Sequence, residues 1–503
     1  MYSVFYAYLS GKRTGAQYAA NVLLFGELTQ TRKLLFLCFY KVNKIKGVKK
    51  METILQFVKS ANSIMWNSLL LIILCGTGIY YTFRLRFIQV RKFGEAFKLV
   101  FSNIKLKGAK SKNGEMSSFQ ALATAIAAQV GTGNLTGAAT ALIGGGPGAI
   151  FWMWLSAFFG MATIYAEATL AQKYKVVKDG ETNGGPVYYI RQAFKGNFGK
   201  FLAALFAVFI VLALGFMGNM VQSNSIGAAF SSVFQARNVN IPPLAVGIVI
   251  AVVAAFIFIG GTSRLASVVE KLVPLMACVY IVGSLILIFM HIGQVPVAFV
   301  TIIKAAFEPQ AVLGAAAGIG VKEAIRYGVA RGLFSNEAGM GSTPHAHARA
   351  VVKTPHEQGL TAMMGVFIDT FIILNLTVFS VLTTGAMESG KDGIALTQQA
   401  FVQGFGSFGD IFIAICLLFF AFSTILGWHF FGKINAEYLF GKKCEKIYSL
   451  IVVIFIVIGS TLKLDLVWEL TDFFNGLMVI PNDLALLALS GVVVKMSKEY
   501  SKK

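Results

Sequence analysis

Residues 126–137 read IAAQVGTGNLTG. Apolar sequence flanks the stretch, yet its centre sets Gly131, Gly133 and Gly137 among Gln129, Thr132, Asn134 and Thr136. In hydrocarbon every backbone N–H and C=O must be paired, so irregular backbone persists only where protein or a water-filled cavity lines it. Small residues four apart, such as Gly133 and Gly137, let a second helix approach closely. That packing role leaves the clustered polar side chains unexplained, so the stretch is read as a break in a membrane-spanning helix. The half-helix after such a break offers N–H groups and a positive dipole end to a carboxylate. The half before it offers carbonyls to a sodium ion.

The setting is a membrane. The 503 residues are 56% hydrophobic and 13% charged, with mean hydropathy +0.69, outside the soluble range. Apolar runs of about 20 residues, each able to cross a ~30 Å hydrocarbon core, recur throughout. Candidate spans centre on 63–83, 118–143, 148–173, 200–225, 243–260, 271–291, 315–345, 359–383, 408–432, 447–463 and 468–493. This is an all-α polytopic membrane protein of about 11 spans. The net charge of +21 does not indicate a nucleic-acid partner, because Lys and Arg sit in loops between the spans, as cytoplasmic loops require. The five cysteines show no CxxC spacing and suggest neither a disulfide framework nor a zinc site.

Charge sets the orientation. Residues 84–117 hold nine Lys/Arg and residues 173–200 hold six, whereas 144–147 are uncharged and 226–242 hold only Arg237. The basic loops are therefore cytoplasmic, with the N-terminus outside and the C-terminus inside a cell (plasma) membrane. Residues 1–50 break this rule with nine Lys/Arg of their own, and their apolar run LLFLCFY is too short to span. They are read as an upstream extension, with Met51 as the start. Residues 51–117 then form an extra span and a basic loop, and 494–503 a basic tail.

Transporters that use a broken helix often use it twice, in inverted repeats. Five spans on, residues 333–343 read LFSNEAGMGST, with Gly339 and Gly341 beside Ser335, Asn336 and Ser342. Residues 118–291 and 315–493 are thus expected to be two five-helix repeats.

Several stretches in order resemble the alanine or glycine:cation symporter family. They are AAQVGTGNLTG, GGGPGAIFWMWLSAFFG (144–160), YAEATLAQKY (165–174), GGPVYYI (184–190), GNMVQSNS (218–225), RGLFSNEAGMGS (331–342) and STILGWHFFG (423–432). The resemblance spans about residues 55–490. It implies a leucine-transporter-type 5+5 inverted repeat with one extra N-terminal helix. It also implies sodium-coupled movement of a small neutral amino acid, with no catalysis and no organic cofactor. Carried over residue by residue, Gly131, Thr132, Gly133 and Asn134 line the first break, their N–H groups on the substrate carboxylate. Gln222 reaches into the site, Ser335 and Asn336 belong to the second break, and Trp428 walls the pocket one turn beyond Thr424. Asn134, Ser335, Asp369, Ser423 and Thr424 are the candidate sodium ligands. His429 stands where the family often has a smaller polar residue.

Other residues admit plainer readings. Asp369 is an ionisable group inside a span, which defaults to function unless a basic residue pairs it. Glu167 is expected to pair with a basic residue near the inner end of its span, and Glu337 to accept N–H bonds from the second break. His345, His347 and His356 read as cytoplasmic loop residues, since i,i+2 histidines face different sides of a helix. The FWMW run reads as packing and interface anchoring. No Walker A loop or catalytic triad is present. The expected function is import of alanine or glycine by alternating access. One charge moved through about 100 mV supplies roughly 2.3 kcal/mol, about 40-fold accumulation. A proton-coupled or glutamine-preferring carrier of the same fold stays open, as does an intramembrane amino-acid sensor or enzyme. The sequence leaves the oligomeric state unknown.

Overall fold

The computed structural model describes residues 52–102, 115–178, 180–308, 320–462 and 464–500. The proposed extension (1–50), most of the expected basic loop's lysines and the first residues of the seventh span lie outside these ranges. The chain divides into Met1–Lys59 and Ser60–Lys503. In the first unit residues 52–59 are helical, and the account below concerns the second.

The second unit is almost entirely helical. Helix α1 (Leu70–Arg84) is the extra helix. The first repeat opens with α2 (Ser118–Gln129), which begins at a reciprocal cap: Gln120 N–H donates to Ser117 Oγ, and Ser117 N–H to Gln120 Oε1, both at 3.0 Å. After an irregular step the chain resumes as a wide helical turn (Gly133–Gly137) and α3 (Ala138–Gly145). Gly146, at φ +68°, and Pro147 then turn it into α4 (Gly148–Lys173). The next span runs from Gly196 to Gln235, followed by α5 (Pro243–Ile259) and α6 (Gly261–Met290).

The second repeat follows the same order. Helix α7 (Val321–Asn336) stops at a second irregular step and restarts as α8 (Pro344–Ala348). Then come the span Pro355–Thr384, the short α9 (Gly393–Phe405), α10 (Gly409–Phe440), α11 (Glu445–Thr461) and α12 (Leu464–Ala488). Helices five places apart pack on each other. Residues 148–173 lie against 355–366, 219–235 against 409–440, and 243–259 against 445–461. The turn 133–137 meets α7. Such pairing of equivalents is what a pseudo-two-fold between inverted repeats produces, and it brings the two breaks together. Met116–Ser117, before α2, pair in parallel with Ala350–Val351, after α8.

Among the described residues six helices are long and apolar enough to cross a membrane, or up to seven counting one bent pair; Leu70–Arg84, Pro243–Ile259 and Ile292–Phe307 are shorter apolar helices. Two details differ from expectation. The last span ends at Ala488, and residues Ser490–Tyr500 form a helix bent away by 58°, so 489–493 belong with the tail segment. The stretch 384–407, which falls between the candidate spans 359–383 and 408–432, contains α9. It buries Leu396, Ala400 and Phe401 and packs on the first broken helix, where Thr397 Oγ1 donates to Leu135 O at 3.0 Å.

Candidate functional site

At the first break, Val130 leaves helical geometry at φ −83°, ψ 89°. The amides that follow find side-chain partners. Gly131 N–H donates to Asn134 Oδ1 at 3.0 Å, and Thr132 N–H to Gln222 Oε1 at 3.2 Å. Thr132 Oγ1 is buried without a hydrogen-bond partner among the described residues. Gly131 has no room for a side chain: an added Cβ would lie 2.3 Å from Thr424 Oγ1 and 3.2 Å from Gln222 Oε1. At Gly133 the nearest neighbour is Ser335 Cα, at 3.0 Å from such a Cβ. Gly137, read as its packing companion, meets nothing nearer than Thr132 O at 3.9 Å. Gly133 alone of that pair therefore serves close approach.

Two groups of oxygens flank the break. In the first, Thr424 Oγ1 lies 2.9 Å from Ala127 O, 3.1 Å from Phe420 O and 3.4 Å from Val130 O. Ser423 Oγ lies 2.8 Å from Phe420 O and 3.4 Å from Ala127 O. Phe420 O is already engaged within α10, which leaves two carbonyls, Ala127 O and Val130 O, facing two hydroxyls that each have a single proton to donate. The cluster is oxygen-rich and proton-poor, which suits a small monovalent cation.

The second group surrounds Asp369. Asn134 Nδ2 donates to Asp369 Oδ1 at 2.7 Å, Ser335 Oγ lies 2.9 and 3.0 Å from its two oxygens, and Thr370 Oγ1 donates to Oδ2 at 2.9 Å. Asp369 is fully buried. Among the described residues no Lys, Arg or His lies within 4.0 Å of it. The basic partner that a purely structural carboxylate requires is thus not supplied by the described residues. The five candidate sodium ligands fall into these two groups rather than one. Gln129 and Thr370, which sequence reasoning left off the site, tie the breaks together: Gln129 Nε2 donates to Asn336 O at 2.7 Å, and Asn336 Nδ2 to Thr370 Oγ1 at 3.2 Å.

The second break starts at Glu337, left-handed at φ +56°, and continues through Gly339 at φ +86° and Gly341 at φ +79°. Two sequence expectations are corrected here. Among the described residues Glu167 has no basic partner within 4.0 Å; it accepts the N–H groups of Gly339 and Gly341 at 3.0 and 2.9 Å, and Asn482 Nδ2 at 2.7 Å. It performs the clasping role expected of Glu337, because a carboxylate from a neighbouring helix can face amides that Glu337, within the turn, cannot. Glu337 instead accepts Ser342 Oγ–H and Trp428 Nε1–H. Trp428 stands edge-on to Phe334, with ring centroids 5.9 Å apart, and thus bridges α10 to the second break. His429 points the other way, stacked on Phe258 at 3.5 Å between centroids, with Nε2 2.9 Å from Ser449 Oγ.

The histidines are not loop residues either. His345 and His347 are buried in α8. His345 contacts Ser342 O and Asn435 Nδ2, His347 contacts Gln358 Nε2, and His356 contacts the Tyr165 hydroxyl. The described residues contain no group of three or more His, Cys, Asp or Glu able to hold a metal ion. In the aromatic run, Trp152 Nε1 donates to Ala306 O at 3.1 Å and Trp154 Nε1 to Asn375 Oδ1 at 2.7 Å, which is packing.

Ion pairs stand at both ends of the site. At one end, Arg331 on α7 pairs with Asp472 on α12 at 2.7 Å and lies over the Trp468 ring. At the other, Glu181 in the hairpin Val176–Asn183 holds Arg349 at 3.2 Å and Lys442 at 2.8 Å. Burial opposes the charge of Glu181, but the Lys442 hydrogen bond and the Arg349 guanidinium outweigh it and hold its carboxyl below the ordinary carboxylate range.

Two broken helices meeting midway through an inverted-repeat bundle, with carbonyls, amides and a buried carboxylate facing each other, define a secondary transporter. A solved structure of MhsT in complex with L-phenylalanine shares the fold, with a TM-score of 0.53 at 14% identity, over 77% of this chain and 98% of that one. The chain belongs to the sodium:alanine symporter family, which matches residues 51–503. It is 42% identical to the sodium/alanine symporter AgcS of Methanococcus maripaludis, over 88% of this chain and 96% of that one. It is 41% identical to a Bacillus subtilis chain named as a probable sodium/glutamine symporter, GlnT, over 90% and 92%. The protein is a multi-pass membrane protein and a sodium-coupled amino acid symporter, not an enzyme.

Proposed function

We propose that this symporter carries alanine or glycine, with sodium entering both oxygen clusters. The observation that carries this reading is the pair of amides at the first break. Gly131 N–H and Thr132 N–H are held by the side-chain oxygens of Asn134 and Gln222, which stand where a substrate carboxylate would accept. Sodium at Ala127 O, Val130 O, Ser423 and Thr424 would fix the carbonyl side of the break. Sodium beside Asp369, Asn134 and Ser335 would join the two breaks and lie next to the substrate. The alternation would then tilt one bundle against the other, opening the Arg331–Asp472 end and the Glu181 end in turn. The loop charges support an external N-terminus and a cytoplasmic Glu181 end.

The small-substrate part of the reading rests on Trp428, which is 2% exposed and locked to Glu337. The test is competition against labelled alanine uptake. In the unaltered protein glycine and alanine compete strongly and glutamine weakly. Trp428→Ala is expected to let glutamine and other larger neutral amino acids compete, improving them by about tenfold or more, as lost contact and new space in an apolar wall permit. An unchanged order of competitors would remove Trp428 from the pocket wall. Strong competition by glutamine in the unaltered protein would favour glutamine as the substrate, the activity named for the relative at 41% identity.

A further inference from the structure

The mechanism leaves the buried carboxylate of Asp483 unused. Asp483, on α12, is 1% exposed, and neither of its side-chain oxygens has a hydrogen-bond partner among the described residues. It follows Pro481 and Asn482 in the middle of the helix. Its Oδ1 would lie 3.7 Å from a Cβ placed on Gly339, so it faces the second break directly beside the Glu167 clasp.

The two acids are treated very differently by their surroundings. Glu167 receives three donors, from Gly339, Gly341 and Asn482, and is satisfied as an anion. Asn482 is itself fully engaged, giving its amide to Glu167 and Gly339 O and receiving the Tyr189 hydroxyl. Around Asp483 the remaining polar neighbour is Thr77 on α1, whose hydroxyl is a single weak donor to it. The titratable groups facing it are Glu167 on α4, Tyr81 on α1 and Tyr189 on the helix Pro186–Ala193. Tyr81 spends its proton on Leu486 O. Among the described residues no Lys, Arg or His lies within 4.0 Å of Asp483. A carboxylate in such a place would sit in low dielectric with one hydroxyl donor at most and next to a second anion, an arrangement that two neighbouring carboxylates avoid by holding a proton.

We propose that Asp483 and Glu167 form a protonation site behind the second break, with one proton carried on Asp483 while Glu167 remains the charged clasp of Gly339 and Gly341. This goes beyond sodium coupling and does not depend on which amino acid is carried. Loss of that proton to solvent would place two negative charges close to Gly339 and loosen the clasp, so the arrangement of the break becomes sensitive to pH. The sodium ligands lie elsewhere, at Asp369 and Thr424.

The test uses the full chain in proteoliposomes and the same protein by infrared spectroscopy. Asp483→Asn keeps the size of the side chain and cannot ionise; if it does not fold, Asp483→Ser takes its place. In the unaltered protein, sodium-driven uptake is expected to fall by about tenfold per pH unit once the single-proton site begins to empty. In the variant that fall disappears while sodium half-saturation is unchanged. A protonated-carboxyl C=O band is expected to be present at neutral pH, lost on alkalinisation, and missing from the variant. An unchanged band together with an unchanged pH profile would overturn the proposal. A variant that keeps the pH profile but needs much more sodium would also overturn it, and would make Asp483 a cation ligand instead.

Discussion

Asp369→Ala is expected to reduce sodium-driven uptake by roughly 100-fold or more in protein that still folds and inserts. The carboxylate is the common acceptor for Asn134 Nδ2, Ser335 Oγ and Thr370 Oγ1. These donors come from the first break, the second break and the Pro355–Thr384 span respectively. Removing the carboxylate strands buried donors at about 1–3 kcal/mol each. If two are stranded without recovery, sodium-dependent uptake falls by roughly 100-fold or more. The measurement is uptake against sodium concentration, with surface-labelled protein as the control for insertion. Asp369→Asn separates two accounts. An amide still offers one oxygen to an ion, so in a sodium site the sodium requirement is weakened but remains. If Asp369 carried a coupling proton instead, the amide would eliminate coupling outright, and uptake would become a downhill leak indifferent to sodium.

Gly131→Ala has the next largest effect. The new methyl would lie 2.3 Å from Thr424 Oγ1. Either the break moves away from α10, or Thr424 rotates and gives up Ala127 O. Both outcomes dismantle the carbonyl–hydroxyl cluster. Overpacking of this kind costs about 1–3 kcal/mol, so sodium half-saturation is expected to rise by roughly 10–100-fold. Gly137→Ala is the internal comparison. It has a helical φ near −66° and its nearest neighbour is 3.9 Å away, so sodium dependence should stay close to that of the unaltered protein. Equal effects at the two positions would mean that general helix packing, rather than the Thr424 contact, sets the sensitivity.

The break itself was legible because polar side chains and glycines in an apolar span have few physical uses, and the second break because inverted repeats place it five spans on. Spacing along α10 likewise put Thr424 and Trp428 on one face. What sequence could not supply was the partner of each acid. Glu167 reads as the partner of a basic residue and Glu337 as the holder of unwound backbone, and only the packing of α4 against the second break shows that Glu167 takes the amides of Gly339 and Gly341. The buried histidines of α8 were misplaced for a related reason: a short polar stretch after a break reads as a loop when the surrounding bundle is not visible. Asp483 lies inside a span, as Asp369 does, and carries the same signal of an ionisable group in a membrane segment. Helix α9 carried a readable signal in Leu396, Ala400 and Phe401 at helical spacing, but its length is below that needed to span and it was read with the loop around it.

The most direct test of the central claim is labelled alanine uptake into proteoliposomes containing the full chain. An inward sodium gradient is compared with an inward proton gradient at matched voltage. Accumulation of alanine above its equilibrium level under the sodium gradient alone is the predicted result. Accumulation under the proton gradient with no response to sodium, from protein shown to be folded, would contradict the assignment of the two oxygen clusters to sodium.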